Sequence, residues 1–364
     1  MALTHEQKDI IRSVISNIDN HQIQTVGGYA GTGKSTIITV LLSALDGRKL
    51  NFAPCAFTGK ATNVLRRKGM SSARTIHSYI YKPVRQSDDS VVWIKKTRDQ
   101  IREESIDGFI VDEASMISKE IYDDLCSFNL PLIFVGDHGQ LEPIGTNFNL
   151  MSKPMYKLET VHRNAGEIAH FAEHLRKGNC PWEFNGLKKV QVVKDNLIED
   201  RHLASVDQII CAFNKTRVSL NQRVRVEKNI QYTYVVVGEK IICLRNHRED
   251  SLFNGMQGVV TKINKGNRFD FTTDDTNRYD IRYDPNQFGK ETNEFKFNQE
   301  EHPFDYAYAI TCHKAQGDEW GNVIVYEQKN DKWDSARWNY TAASRAKNGL
   351  IWIGVQTYRP YYLS

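Results

Sequence analysis

The stretch Gly28-Tyr29-Ala30-Gly31-Thr32-Gly33-Lys34-Ser35 fits the pattern G-x-x-x-x-G-K-[ST] at every fixed position. The run Ile23 to Val26 just before it reads as a strand, and the apolar, β-branched stretch Ile37 to Leu45 just after it reads as a helix. That order suits a phosphate cradle: successive backbone N–H groups curl around an anion at a helix N-terminus, where the macrodipole adds positive potential. Gly28, Gly31 and Gly33 allow the tight bend. Lys34 is expected to reach the β- and γ-phosphates of a nucleoside triphosphate, and the Ser35 hydroxyl to ligate the Mg²⁺ that bridges them.

Around this loop the chain is ordinary in bulk. Its 364 residues suffice for two or three domains, and a hydrophobic fraction of 40% with 25% charged residues matches a soluble globular protein. No run approaches a membrane span and residues 1–7 are too polar for a signal peptide, so a cytoplasmic protein with no membrane partner is expected. Six cysteines lie far apart, without a C-x-x-C pair or a Cys/His cluster at ligand spacing. They read as reduced thiols, and neither a zinc site nor an iron–sulfur cluster is expected.

The net charge of +4 is weak evidence for a nucleic-acid partner, but its distribution is stronger. Between Lys60 and Arg102 stand eleven Lys/Arg against three Asp, interleaved with Tyr79, Tyr81 and Trp93. Such a segment suits a surface that tracks phosphates and stacks on bases, or else a merely solvated basic face.

Taken in order, Leu3 to Ile18 has helical spacing and carries Gln7, an amide able to read an adenine edge or simply to sit on the surface. Asn51 to Phe57 is an apolar strand running into Thr58-Gly59-Lys60-Ala61-Thr62 and a basic helix to Gly69. Arg74-Thr75-Ile76-His77-Ser78 follows, again at a strand-to-helix junction, where open α/β sheets bind ligands. From Tyr79 to Ser105 the α/β alternation lapses into an expected β-hairpin. Phe109-Ile110-Val111-Asp112-Glu113 is a buried strand closing on two carboxylates, the arrangement of a Walker B site: Asp112 for Mg²⁺, Glu113 for the attacking water. Leu132 to Val135 is another buried strand, and Gln140 beyond it is a candidate γ-phosphate sensor. A first α/β unit is expected to close near residue 150, and Leu158 to Asn164 to open the next. Val235 to Glu301 reads as a small all-β insert of four or five strands. Tyr308 to Trp320 resumes α/β character; Tyr340 to Lys347 reads as a helix and Gly349 to Val355 as the last strand.

This ordered set resembles the superfamily 1 helicases, specifically the 5′-to-3′ branch containing RecD-like and phage Dda-like enzymes. Gly28 to Thr36, Ala56 to Thr62, Arg74 to Ser78, Ile110 to Met116, Gly136 to Ile144, the segment ending at Arg163, Ala309 to Trp320 and Tyr340 to Lys347 look like that family's successive motifs. The resemblance implies an α/β fold of two RecA-like lobes clamping ATP, here residues 1–152 and 153–364. A pin hairpin would be inserted at 79–105 and an SH3-like β insert at about 240–304. By the same resemblance Gln7 reads adenine, Thr32, Thr36 and Glu319 lie at the nucleotide, and Arg163 and Arg345 reach the γ-phosphate. Thr58, Lys60, Thr75, His77, Thr311 and His313 resemble positions along a bound single strand of DNA. Trp93 occupies the place of the duplex-splitting wedge, although packing within the hairpin would equally explain it.

The expected protein is then a monomeric ATP- and Mg²⁺-dependent DNA helicase acting on tailed duplexes in a bacterial or phage-infected cytoplasm, alongside replication or recombination proteins. The alternative is a nucleotide-gated single-strand binding or loading module without processive unwinding. A small-molecule kinase sharing only the phosphate loop leaves the two downstream arginines without a role.

Overall fold

The computed structural model describes residues 3–85, 91–142, 148–161, 166–184, 188–245, 247, 250, 252–273, 276–292, 301–331 and 333–354. The chain divides into two units, Met1–Ala169 and His170–Ser364. In the first, Thr4 starts helix α1 (His5–Ser16) through a capping box shared with Gln7, and Ile10, Ile11 and Val14 form its buried face. Strand β1 (Ile23–Gly28) leads through the glycine loop into α2 (Lys34–Asp46), followed by β2 (Phe52–Ala56) and α3 (Gly59–Arg67). Next come β3 (Arg74–Thr75), α4 (Ile76–Ile80), β4 (Tyr81–Arg85), β5 (Val91–Lys95), α5 (Arg98–Glu103), β6 (Gly108–Asp112), α6 (Lys119–Cys126), β7 (Leu132–Gly136) and β8 (Tyr156–Leu158).

Six of these strands form one parallel sheet in the order β3-β2-β6-β7-β1-β8. Helices cover both faces, so β6 and β7 are buried along their whole length, as their unbroken apolar sequences require. One core cluster unites Val14, Ile38, Leu41 and Ile133; another unites Ile76, Ile101, Phe109, Leu125 and Phe134. Each such side chain contributes about 1.5–3 kcal/mol through burial.

The expected hairpin is an antiparallel pair, β4 with β5, in which Trp93 lies opposite Pro83. Its turn, 86–90, lies outside the described residues. Asp124 of α6 accepts hydrogen bonds from the Tyr81 hydroxyl and from Lys95 Nζ at 2.9 Å, fastening the base of the hairpin. The last part of the expected 79–105 insert is helix α5, not hairpin.

The expected border at 152/153 comes too early. β8 pairs with β1 along Val26 to Gly28, so Leu158 completes the first sheet instead of opening a second. A sheet core needs that edge strand before its apolar face is covered.

Helix α7 (Glu167–Arg176) lies across the division between the units. Then come β9 (Val190–Val193), α8 (Asp200–Ser205), β10 (Gln208–Cys211), α9 (Asn214–Glu227) and five antiparallel strands, β11 (Lys240–Cys243), β12 (Gln257–Asn264), β13 (Arg268–Thr272), β14 (Asn277–Arg282) and β15 (Phe304–Tyr306). β16 (Ala309–Thr311), β17 (Trp320–Tyr326), α10 (Ser335–Ala343) and β18 (Ala346–Ile353) finish the chain as described. The second parallel sheet runs β16-β10-β17-β18-β9, and the antiparallel one β14-β13-β12-β11-β15. The antiparallel sheet has its own aromatic core around Phe269, Phe271 and Phe304. It extends to Tyr306, two residues past the expected border.

Helix α9 turns an inward polar stripe, Arg217, Asn221 and Arg225 at four-residue spacing, toward this β subdomain. Arg225 pairs with buried Glu239 at 2.6 Å, Arg217 pairs with buried Asp305, and Asn221 bonds the backbone of Ala309. The stretch Tyr340 to Lys347 is not all helix: α10 ends at Ala343 and β18 begins at Ala346, which leaves Arg345 in the turn between them. Among the described residues no helix is long and apolar enough to cross a membrane.

Candidate nucleotide-binding site

β1 sits between β7 and β8, and its C-terminal end delivers the glycine loop to the edge of the sheet where α/β ligands bind. The glycines serve different ends. Gly31 and Gly33 adopt φ of +78° and +86°, the left-handed region. Gly28 instead avoids a collision, since a Cβ there would stand 2.7 Å from Thr32 Oγ1 and 3.0 Å from Leu158 Cβ. Gly33 is the residue before α2, so the loop's amides lead into the helix N-terminus.

Lys34 Nζ donates to the carbonyls of Gly28 at 2.8 Å and Tyr29 at 3.2 Å, and lies 3.4 Å from Asp137 Oδ2. Asp137 is fully buried just beyond β7, where its other oxygen accepts from Gly139 N at 2.9 Å. Gln140 Nε2 donates to the same Oδ2 at 3.2 Å. One carboxylate thus connects the loop lysine with the expected phosphate sensor. A lone acid between Gly136 and Gln140 carries no local signal in the sequence of what it touches.

Gln7 is buried; its amide donates to Thr32 O at 3.0 Å and accepts from Thr4 N at 3.1 Å. It therefore ties α1 to the loop. Thr32 is buried with its hydroxyl on Tyr29 O at 2.8 Å, and Thr36 lies half-buried in the first turn of α2. Ser35 Oγ accepts from Lys68 Nζ at 2.6 Å, a contact across 33 positions that no local pattern signals.

Asp112 ends β6, with one oxygen accepting from Glu113 N at 2.9 Å. Glu113 takes φ +54°, unusual for a residue with a Cβ and typical of strain held at functional sites. Ser115 Oγ is buried without a hydrogen-bond partner among the described residues. His138 packs against the Tyr29 ring at 4.1 Å, and burial depresses its imidazole pKa against the pull of Asp137. The nearby Cys55 thiol is pushed up by burial and then by Asp112, so it stays protonated.

The expected strand-binding residues of this unit stand at or just beyond the ends of two neighbouring strands, β2 and β3, which pair Ala56 with Thr75. Thr58 caps α3 by accepting from Ala61 N at 3.1 Å, and Thr75 caps α4 by accepting from Ser78 N at 3.3 Å. The His77 ring stacks on Tyr81 at 5.6 Å, which brings it to the root of the hairpin that carries half-buried Trp93. The Lys60 side chain and all of Arg163 lie outside the described residues.

In the second unit Arg345 is buried, donating from Nε to Thr341 O, from Nη1 to Asp318 O and from Nη2 to Ser344 Oγ at 2.8–3.1 Å. Glu319 is exposed and pairs with Lys347 at 3.1 Å. Thr311 ends β16, and half-buried His313 follows it with an imidazole pKa lowered by burial.

A parallel sheet delivering a glycine loop and an aspartate-ended strand to one edge defines a P-loop nucleotide-binding protein. The family described as AAA domain matches residues 2–196, and the UvrD-like helicase C-terminal domain matches residues 306–353. The chain belongs to this AAA-domain family, and its relatives include superfamily 1 helicases. It is 25% identical over 371 residues to the ATP-dependent RecD2 DNA helicase of Deinococcus radiodurans, a match covering 94% of this chain and 48% of the relative. To the ATP-dependent DNA helicase Dda of Enterobacteria phage T4 it is 29% identical over 201 residues, covering 50% of this chain and 44% of the relative. The chain thus spans about half the length of the RecD2 relative. The Bacteroides Pif1 helicase in complex with ADP-AlF3 and single-stranded DNA superposes with a TM-score of 0.59 at 19% identity, covering 97% of this chain and 93% of that one. That likeness establishes the fold of two RecA-like domains.

Proposed function

We propose that the protein is an ATP-driven motor that travels 5′ to 3′ along single-stranded DNA and separates duplex ahead of it. It would act as a monomer in the cytoplasm, alongside replication or recombination proteins. The observation that carries this reading is the exchangeable grip on Lys34, whose ammonium is shared between two loop carbonyls and an aspartate that Gln140 also holds. Triphosphate oxygens attract an ammonium more strongly than neutral carbonyls do. Moving Lys34 onto them changes what Asp137 and Gln140 hold, which links the phosphate state to the segment after β7.

Ser35 Oγ and the Asp112 carboxylate are hard oxygen donors of the kind Mg²⁺ takes, and the buried Ser115 hydroxyl offers a further oxygen to its water shell. Mg²⁺, when bound, neutralises phosphate charge during transfer. Glu113 orients or deprotonates the attacking water. Gln7 holds the adenine side of the loop, with Thr32, Thr36 and Glu319 near the nucleotide. Arg163 and Arg345 reach the γ-phosphate; a guanidinium has five N–H donors, and Arg345 commits one at each of its three nitrogens to its own unit. Thr58, Lys60, Thr75, His77, Thr311 and His313 contact the strand, and Trp93 stacks at the fork.

The test is strand displacement on duplexes bearing a 5′ or a 3′ single-stranded tail, each in DNA and RNA, with ATP and with a non-hydrolysable analogue. ATP-dependent release of 5′-tailed DNA is expected. Tight analogue-dependent binding with no displacement would replace the motor by a nucleotide-gated loading module.

A further inference from the structure

We propose that His247, Asp250 and His302 form a binding site for one Zn²⁺ ion in the antiparallel β subdomain. His302 leads into β15 and is held by its backbone on both sides, accepting from Asp284 N at 3.0 Å and donating to Arg282 O at 2.9 Å. The backbones of His247 and Leu252 bond each other in both directions, at 2.9 and 2.7 Å. Asp250 Oδ2 lies 2.5 Å from His302 Nε2 and 3.2 Å from His247 Nδ1, and the two imidazole rings are 4.2 Å apart. All three ligand atoms fall within 4.8 Å of one another. A tetrahedral zinc with bonds near 2.0–2.1 Å needs ligand atoms about 3.3 Å apart, so small rotations about the side-chain bonds convert this cluster into three corners of a tetrahedron. Water would take the fourth.

The donor set points to zinc. Two imidazoles and one carboxylate suit a borderline ion, whereas Mg²⁺ and Ca²⁺ prefer all-oxygen sites. His302 is almost fully buried, so its ring is held in place by the packing around it. His247 and Asp250 are about two-fifths exposed, so an ion can enter. Bound there, it would clip the turn after β11 to the strand entering β15, a link between residues 52 positions apart.

The full chain, stripped by chelator and dialysed against Zn²⁺ in excess Mg²⁺, should bind one zinc, and its melting temperature should rise with zinc concentration. His247→Ala and Asp250→Asn should each weaken binding by at least about tenfold and abolish the melting shift, while both fold normally in chelator. Co²⁺ should give a tetrahedral visible spectrum without thiolate charge transfer. Absence of stoichiometric zinc, affinity unchanged in both variants, or a thiolate band assigning the metal to the cysteines would each overturn the proposal.

Discussion

Two buried cation–carboxylate pairs in this molecule use the same chemistry in opposite ways. Arg225 and Glu239 are both almost wholly buried, and every contact around them is tight. The arginine also donates to the carbonyls of Tyr232 and Tyr234 and stacks 4.1 Å over the Tyr306 ring, while Glu239 accepts from Val236 N at 2.8 Å. Lys34 and Asp137 are 3.4 Å apart, the lysine keeps some exposure, and its shorter bonds go to neutral loop carbonyls. A point charge on a flexible stem can change partners, whereas a guanidinium locked by several acceptors cannot do so without leaving a charge buried. The loose pair is the one the proposed function draws on, and the closed pair joins α9 to the β subdomain.

Substitutions can break that contrast. Lys34→Ala should remove ATP hydrolysis, by about 10³-fold, as losing a transition-state charge donor does, with little change in melting temperature. Glu113→Gln should cut turnover comparably, within about 10²–10⁴-fold, yet keep nucleotide binding in a filter or fluorescence assay. Arg225→Ala should do the reverse of Lys34→Ala: a cost of about 3–5 kcal/mol in denaturant unfolding, because Glu239 is left buried and unpaired. If Arg225→Ala unfolds normally but loses ATPase, the division between loose and closed pairs is wrong.

Smaller effects sharpen it at the hairpin. Trp93→Ala should spare strand-stimulated ATPase and lower unwinding by about tenfold, in line with base stacking of about 1–3 kcal/mol. Normal unwinding by that variant would return Trp93 to simple packing. Burial raises the Asp124 carboxyl, but the hydrogen bonds from Tyr81 and Lys95 outweigh it and hold the pKa below the usual carboxylate value. Stability from this group is therefore present above the unfolded pKa of about 3.9 and lost as pH falls through the lower folded value. Asp124→Asn should cost about 1 kcal/mol at pH 7, with the difference from the parent vanishing in acid.

Much of the nucleotide pocket was legible because its parts are local. A strand, a glycine loop and a helix are contiguous, and Asp112 with Glu113 closes an apolar run. What escaped reading was contact between distant segments. Lys34 and Asp137 stand 103 positions apart, and Lys68 reaches Ser35 across 33. The three residues of β8 carry too little periodicity to show from sequence which sheet they join. Arg217 and Arg225 look like parts of a basic surface helix, and only their carboxylate partners turn them inward.

Sequence by itself determined the P-loop pattern, the buried strands around it and the family, since these rest on local spacing and residue type. Tertiary structure alone decided which charges are exchangeable and which are locked, where the first sheet ends, and that two histidines and an aspartate meet. Those outcomes depend on burial and on distances between remote atoms, which chain order does not encode locally.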